Sequence, residues 1–475
     1  MPLVKTWQLI AGSAVAGLAL SAAVVASAGP WDSGQRKAER DKAASWSRTG
    51  GADHGSGSGP GGLPQAAPSA PGVLQGVGRA RSQAAAPDGL AAALRPLLAD
   101  RALGTVRTAS VVDTATGEVL YESGARDAMT PASTVKIATA AAALAALGPE
   151  HQIRTTVAPG ADPGQIVLVG GGDPSLTAKK KSPAGSGGSL PKLAGDAAAA
   201  LKAAGTYSVT LGYDDSLYAG PARHPIGDNP NIALVTSLAA DEGRTDDSVS
   251  GPVDRVDDPA KEAARAFSAL LVEHGIKVTG APAKAKPAAG AQPLAVTLST
   301  PLSGLVERML TNSDNDIAEA LARQTALASG QPASFEGAEK AVAARLASLG
   351  VDVTGTRFAD GSGLNREDKV YAGLLTGILT KAAGTDHPEL RPVLTGLPVA
   401  GFTGTLRARN AGSSPAAGLL RAKTGTLSGV NSLSGTVVDH SGRLLAFAFL
   451  TKDTPGPEGA EKALDKLAAA VAAAP

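Results

Sequence analysis

The sequence predicts a mixed α/β (α+β) fold, in which an antiparallel sheet is flanked by helices and accompanied by an all-helical region. Thr105 to Gly124 alternates apolar and polar residues on either side of a turn at 115–117, the pattern of two antiparallel strands. Ser434 to Thr451 repeats this pattern around a turn at 440–442. Strands from both ends are therefore expected to share one sheet, which helices from the intervening sequence cover.

Helical periodicity marks the region between these hairpins. In "LSGLVERMLTN" the apolar residues recur at i, i+3, i+4, i+7 and i+8, which places them on one helical face. A second helix is predicted to start at about Asp316, with Glu319 three residues later as a capping box. Ala463 to Ala473 is predicted to form a terminal amphipathic helix.

The N-terminus carries an export signal. An uncharged apolar run from about Leu9 to Ala28 follows Lys5 and ends in Ala-Ser-Ala, a typical cleavage site. At about 20 residues the run is also long enough to remain as a membrane span. Residues 1–28 are therefore predicted to be either a cleaved signal peptide or a retained signal-anchor, and both alternatives stay open.

Changes in composition divide the rest of the chain. Residues 29–87 are rich in Gly, Pro, Ser and Ala and are predicted to be a disordered linker, because they cannot bury enough apolar surface to offset their ordering entropy. The folded body is assigned to 88–156 and 299–475. Residues 157–298 combine short strand-like runs with a helix-like segment and are predicted to be an inserted domain or domains.

Charge and residue counts exclude several function classes. The chain has 44 Lys and Arg against 43 Asp and Glu, so no charge excess favours a nucleic-acid partner. The absence of cysteine excludes disulfides, thiolate metal sites and cysteine nucleophiles. The six histidines lack metallopeptidase spacing, and most are expected at the surface or in turns. We therefore predict no metal and no cofactor.

The stretch "PASTVKIATA" places a serine and a lysine at the start of an alanine-rich helix, predicted to run over 131–147 after the capping residue Thr130. Ser133 lies in the first turn, and Lys136 lies one turn further on the same face. A lysine with a lowered pKa can act as base for a serine hydroxyl, which is a poor nucleophile alone. Serine three residues before lysine is common by chance, so this pair alone does not establish catalysis.

Two further motifs change that interpretation. The tripeptide at 313–315, Ser-Asp-Asn, falls at the break between two predicted helices, where alone it would be a capping cluster. The tripeptide at 423–425, Lys-Thr-Gly, precedes a predicted strand, where alone it would be a solvated edge lysine beside a turn. In the order S-x-x-K, S-D-N, K-T-G they match the signature of penicillin-recognising serine acyl enzymes.

The residues around these motifs select one branch of that group. The sequence resembles the D-alanyl-D-alanine carboxypeptidase/endopeptidase family, the low-molecular-mass class C penicillin-binding proteins of the DacB type. The resemblance rests on "PASTVKIATA", "VGGGDPSL", "MLTNSDNDIAEAL", "FADGSGLNR", "LPVAGFTGTLRAR" and "LLRAKTGTLSGVNSLSG", and it covers the whole folded body. Ser133 and Ser313 lie 180 positions apart, in keeping with the inserted domains of this family. A class A β-lactamase has them much closer.

The resemblance implies a serine β-lactamase/DD-peptidase-like fold and a set of catalytic residues. Ser133 would be the acylated nucleophile, Lys136 its general base, and Ser313 a relay of protons to the leaving amine. Asn315 would hold the substrate amide and orient Lys136.

The strand motif would bind the substrate. Lys423 and Thr424 would bind its terminal carboxylate, next to Gly425. The backbone N–H groups of Ser133 and Thr426 would form the oxyanion hole, since preorganised donors stabilise a tetrahedral intermediate.

The implied activity is carboxypeptidase hydrolysis of peptidoglycan stem peptides that end in D-Ala-D-Ala, with inhibition by β-lactams, and endopeptidase cleavage of cross-links stays open as a further activity. The protein is then expected outside the cytoplasm, secreted to the cell envelope or anchored in the cytoplasmic membrane, and to meet the membrane only through its N-terminal segment. The alternatives are a β-lactamase and a non-catalytic wall-binding scaffold. One departure is Asn365, where the family pattern has serine; it affects only a peripheral contact of the cleft.

Overall fold

The computed structural model describes residues 87–181 and 187–474. The predicted signal or anchor at 1–28 lies outside the described residues, and so does the predicted linker, except at Pro87, where a helix begins. None of the helices in these two described ranges is both long and apolar enough to cross a membrane.

The secondary structure of the described residues is as follows. The α-helices are α1 (Pro87–Leu98), α2 (Lys136–Leu147), α3 (Leu190–Ala203), α4 (Pro259–Glu273), α5 (Leu302–Asn312), α6 (Asn315–Ala328), α7 (Phe335–Ser348), α8 (Ala372–Ala383), α9 (Arg391–Thr395) and α10 (Pro457–Ala472). The strands are β1 (Val106–Asp113), β2 (Val119–Ser123), β3 (Arg154–Pro159), β4 (Gln165–Val169), β5 (Ser208–Asp214), β6 (Lys277–Val278), β7 (Ala283–Lys284), β8 (Ala295–Leu298), β9 (Leu420–Leu427), β10 (Val430–Val438) and β11 (Leu444–Lys452). Short 3₁₀ turns occupy Arg101–Leu103, Ala132–Val135, Asp241–Gly243, Pro388–Leu390 and Gly404–Leu406.

The first sheet joins the two ends of the folded body, as predicted. Its strands run in the order β2-β1-β11-β10-β9 and all pair antiparallel. β1 pairs with β11 in a register that sets Ala109 opposite Phe449. Both predicted hairpins are present. The terminal helix α10 starts at Pro457, six residues before the predicted start, because proline is well suited to the first helical position.

Helices cover both faces of this sheet. On one face α10 packs through Leu464 and Leu467 against Phe447 and Phe449 of β11. On the other face α2 lies at the centre of a helical layer, and Ile137 and its neighbours pack with helices α5 to α8. Most residues of α2 are buried, and its alanines allow close approach of the surrounding helices.

Two predicted helix caps are wrong. The helix expected from residue 131 begins as a 3₁₀ turn, and Thr130 is not its cap, since its hydroxyl donates to the carbonyl oxygen of Arg366 (2.9 Å). Helix α6 starts at Asn315 and is capped by Asp314, whose carboxylate accepts from the backbone N–H of Ile317 (3.0 Å). Glu319 therefore has no capping role.

A second sheet forms from the middle of the chain. Its order is β6-β5-β4-β3-β8, with β7 also paired to β5, and the pairings of β5 with β4, β6 and β7 are parallel. Helices α3 and α4 pack on it around a separate apolar core that includes Leu168, Leu193 and Phe267. The assignment of 157–298 as an inserted domain stays a prediction.

Candidate active site

Ser133 lies in the 3₁₀ turn that leads into α2, so the first helical turn presents its side chain at the end of a buried helix. The preceding residue, Ala132, has a φ of 50°, a conformation that costs free energy for a residue with a Cβ and that recurs at functional sites. Lys136, the first residue of α2, is completely buried, and its Nζ lies 3.1 Å from the Oγ of Ser133. The structure therefore brings the predicted nucleophile and base into direct contact.

Two more oxygen atoms hold the amine of Lys136. Its Nζ donates to Oδ1 of Asn315 (2.7 Å) and to the carbonyl oxygen of Ser362 (2.6 Å). Burial lowers the pKa of Lys136 to about 8, against the opposing effect of nearby carboxylates, chiefly Asp360 and Glu319. A pKa this close to neutrality lets a substantial fraction of the amine act as a base.

The Ser-Asp-Asn motif forms the next wall of the site. Ser313 ends α5 with a φ of 59°, and the sharp turn brings it beside Asn315 at the start of α6. While the amide oxygen of Asn315 contacts Lys136, its Nδ2 donates to the carbonyl oxygen of Asn231 (2.9 Å). Asn315 is thus fixed at both ends of its amide.

Strand β9 is an edge strand of the first sheet and forms the opposite wall. Its Thr424 and Thr426 line a cavity of about 340 Å³ that Ser133, Ser313 and Asn315 also line. Thr424 donates its hydroxyl to Thr405 (3.0 Å). Hydroxyl groups and amides therefore line the cavity together with the charged residues Arg244, Arg255, Asp314 and Asp316.

Lys423 lies behind this wall. It is completely buried, does not line the cavity, and donates from Nζ to the carbonyl oxygen of Thr424 (2.8 Å). Burial lowers the pKa of Lys423 well below its usual value, and the positive charges of Lys136 and Arg409 act in the same direction.

Two glycines allow the walls to approach Ser133. A Cβ at Gly425 would lie 2.7 Å from the carbonyl oxygen of Pro131 and 3.1 Å from the backbone nitrogen of Ser133. On the other side, Gly363 has a φ of 83°, and a Cβ there would lie 2.9 Å from the same nitrogen. Glycine is required at both places because any side chain would push the serine turn out of position.

The predicted residues therefore fall into two groups. Ser133, Lys136 and Asn315 are joined by direct hydrogen bonds, and Ser313 lines the same cavity. In β9, Thr424 and Thr426 line the cavity, Gly425 packs against the serine turn, and Lys423 lies beneath it. The catalytic and binding roles of these residues stay predictions.

No sequence motif marks the groups that support Lys136. The carbonyl of Ser362 has no signature in a motif, although "FADGSGLNR" contains it. Glu319 was assigned to a helix cap, but its Oε1 accepts from the backbone N–H groups of Gly361 (3.0 Å) and Ser362 (2.9 Å). His224 is an exception to the expectation of surface or turn histidines, since its side chain is completely buried beside Asp360.

The described residues contain two groups in which three potential metal ligands lie within 4.8 Å of one another. They are His224, Glu319 and Asp360, and Glu242, Asp314 and Asp316. The first group is engaged by backbone N–H groups, and in the second Glu242 pairs with Arg308 and Asp316 with Arg255. Hydrogen bonds and ion pairs engage members of both groups, but Nε2 of His224 and Oε2 of Glu319 have no hydrogen-bond partner among the described residues.

Comparison with known proteins places this site in context. The chain matches the D-Ala-D-Ala carboxypeptidase 3 (S13) family over residues 90–249 and 226–471. It is 39% identical to carboxypeptidase DacB of Mycolicibacterium smegmatis over 391 residues, which are 80% of this chain and 83% of the relative. It is 32% identical to a D-alanyl-D-alanine carboxypeptidase of an Actinomadura species over 453 residues, with 76% of this chain and 80% of the relative covered.

A solved structure shows the same fold. Penicillin binding protein 4 (dacB) of Haemophilus influenzae superposes with a TM-score of 0.63 at 22% identity, covering 78% of this chain and 96% of that protein. The predicted serine β-lactamase/DD-peptidase-like fold is confirmed.

Proposed function

As a member of the D-Ala-D-Ala carboxypeptidase 3 (S13) family, the chain is a serine-type D-alanyl-D-alanine carboxypeptidase, and we propose that it works through an acyl-enzyme on Ser133. The observation that carries the assignment of the nucleophile is the 3.1 Å contact between Oγ of Ser133 and Nζ of Lys136. A serine hydroxyl requires a base at this distance, and a buried amine of lowered pKa supplies one.

The reaction proceeds in two steps. Oγ of Ser133 attacks the carbonyl carbon of the penultimate D-alanine, and its proton passes to Nζ of Lys136. The C–N bond to the terminal D-alanine then breaks, and the leaving amine takes up a proton through the hydroxyl of Ser313. Water hydrolyses the resulting ester, returning the proton to Ser133, so no cofactor is consumed.

The other wall of the cleft binds the substrate. Asn315 is placed to hold the substrate amide, and the backbone N–H groups of Ser133 and Thr426 form the oxyanion hole. Thr424 and Lys423 bind the terminal carboxylate, for which a cation beyond the oxyanion hole is the natural partner. The cavity that the two walls enclose supports the roles of the residues that line it, Ser133, Asn315, Thr424 and Thr426, and Lys423 lies directly behind Thr424.

The same acyl-enzyme chemistry applies to β-lactams, whose strained amide mimics the scissile bond and whose carboxylate mimics the substrate terminus. Peptidoglycan stem peptides are the proposed natural substrates, and endopeptidase cleavage of cross-links is a second proposed activity. The proposed location is extracytoplasmic, supported by the apolar run at 9–28. The intact mass of the native protein tests whether that segment is cleaved or retained.

One experiment tests the proposed function. The purified protein and its Ser133→Ala variant are incubated with penicillin, and intact mass is followed over hours. A persistent adduct on the wild type that the variant lacks is expected. Rapid turnover of the drug without a lasting adduct indicates a β-lactamase, and no adduct on either protein indicates a non-catalytic scaffold.

A further inference from the structure

The amine of Lys136 needs a defined direction as well as a lowered pKa. A neutral amine has two N–H groups and one lone pair. When its two N–H groups are donated to Asn315 and to the carbonyl of Ser362, the remaining lone pair faces Ser133. The position of the Ser362 carbonyl therefore decides whether the base points at the hydroxyl.

The segment that carries this carbonyl, residues 360–365, is neither helix nor strand, and two carboxylates hold its backbone. Oδ1 of Asp360 accepts from the N–H groups of Ser362 (3.0 Å) and Gly363 (2.6 Å), and Oδ2 accepts from that of Asn365 (2.7 Å). Oε1 of Glu319 accepts from Gly361 and Ser362. The carbonyl that orients Lys136 is thus fixed by the positions of two acidic side chains.

Those two carboxylates are both buried, and His224 lies between them. Its Nε2 is 3.1 Å from Oδ2 of Asp360 and 3.6 Å from Oε1 of Glu319, and all three side chains are at most 1% exposed. The backbone nitrogen of Ile226 lies 3.3 Å from Nδ1 of His224. Burial lowers the pKa of His224, but the adjacent carboxylates of Asp360 and Glu319 outweigh it and raise the pKa to about 9, so Nε2 carries a proton that faces the carboxylates. An edge contact with the ring of Phe335, at 5.1 Å between centroids, fixes the plane of the imidazole.

We propose that His224 is a positioning residue for the acylation step. By contacting both Asp360 and Glu319, it holds these two carboxylates in place. They in turn keep the carbonyl of Ser362 at the position from which it directs Lys136 toward Ser133. The residue comes from the loop between β5 and α4, in the stretch between the first and second motifs. That stretch therefore contributes to the catalytic geometry. The inference rests on the proposed role of Lys136 as base.

The test compares two amides at position 224. In His224→Gln the side-chain amide N–H can lie at about the position of the histidine Nε2. In His224→Asn the amide N–H reaches only about the position of the histidine Nδ1. Acylation of the full-length protein by penicillin is followed by rapid-quench mass spectrometry over a range of drug concentrations, which separates the binding constant from the rate constant of acylation. His224→Phe, which fills the space without donating, is measured beside them.

We expect His224→Gln to keep the acylation rate constant within about threefold, and His224→Asn and His224→Phe to lose about 10- to 100-fold, the scale expected when a reacting group is misplaced by about 1 Å. The binding constant should change by less than about twofold, because His224 is not among the residues that line the cavity. A variant that only unfolds lowers the fraction of protein acylated without changing the rate constant of the folded remainder.

Equal rate constants for the Asn and Gln variants would overturn the proposal, even if His224→Phe does not fold. So would a wild-type rate constant in the folded fraction of His224→Asn. Failure of the proposed function looks different, since the wild type would then form no adduct at Ser133 at all.

Discussion

Each of the two walls of the cleft contains a completely buried lysine, and the surroundings of the two lysines differ. Lys136, on the helical wall, contacts three oxygen atoms and lies among four carboxylates that oppose the effect of burial on its pKa. Lys423, on the strand wall, donates to one carbonyl, and the charges that act on it are positive. Both lysines are buried, but only the first has a complete set of partners in the free protein.

The difference separates two tasks. A general base must point at its proton before the reaction begins, so its partners belong to the protein. A cation that receives a substrate carboxylate gains its main partner only on binding, and until then burial and neighbouring charges destabilise its charged form. We therefore propose that the helical wall provides orientation and the strand wall provides recognition, and each prediction below tests that division.

The largest effect is expected from Lys136→Met, which keeps most of the volume and removes the amine. General-base catalysis contributes about 10²- to 10⁴-fold, so acylation by penicillin should fall by that factor while the binding constant changes little. Stopped-flow measurement of both constants checks this. Retention of more than about a tenth of the acylation rate would show that another group removes the proton from Ser133.

A smaller effect is expected from Lys423→Met. A hydrogen bond to a charged group contributes about 1.5 to 3 kcal/mol, which corresponds to about 10- to 150-fold in kcat/KM. The loss in kcat/KM should appear with a peptide that ends in a free carboxylate. It should be smaller when the C-terminus of the same peptide is amidated. An equal loss of kcat/KM with both peptides would contradict the proposal that Lys423 on the strand wall recognises the carboxylate.

The two walls also differ in how far the sequence predicted them. The structure brings Ser133, Lys136, Ser313 and Asn315 together, each of which lies in a short motif, and their roles stay predictions. Each hairpin of the first sheet also lies within one short stretch of sequence, and both predicted hairpins are confirmed. By contrast, the parallel pairing of β4 with β5 joins apolar runs about 40 residues apart, which no local pattern specifies.

What the sequence did not reveal is the support of the helical wall. The Ser362 carbonyl is a backbone group, so residue identity does not mark it. His224, Glu319 and Asp360 lie far apart in the chain, and only the tertiary fold shows that they share one buried cluster. The position of Glu319 three residues after Asp316 suggested a cap, but the Asp314 side chain already occupies that role.

The pH dependence distinguishes the lysines further. The base form of Lys136 increases with pH, so the acylation rate constant at saturating penicillin should rise about tenfold per pH unit below about 8 and level off above. Lys423 binds a carboxylate in its protonated form, and its lowered pKa means that this form is lost as pH rises. KM for the carboxylate peptide should therefore increase as pH rises through the lowered pKa of Lys423.

Both trends are measured in one pH series at constant ionic strength, and Lys423→Met serves as the control. In that variant the rise of the acylation rate should remain and the increase of KM should disappear. An acylation rate that is flat from pH 6 to pH 8 would contradict the assignment of Lys136 as base.

The smallest effect is expected from Asn365→Ser, which restores the residue of the family pattern. Asn365 supports the segment through its backbone N–H, which donates to Asp360, and its side chain only accepts from the backbone N–H of Glu367 (3.0 Å). A serine hydroxyl can form the same local turn, though more weakly. Acylation should therefore change by less than about twofold. A larger change in the acylation rate, with unaltered thermal stability, would mean that the side chain of Asn365 itself affects the cleft. The helical wall would then depend on this side chain as well as on the backbone groups that Asp360 binds.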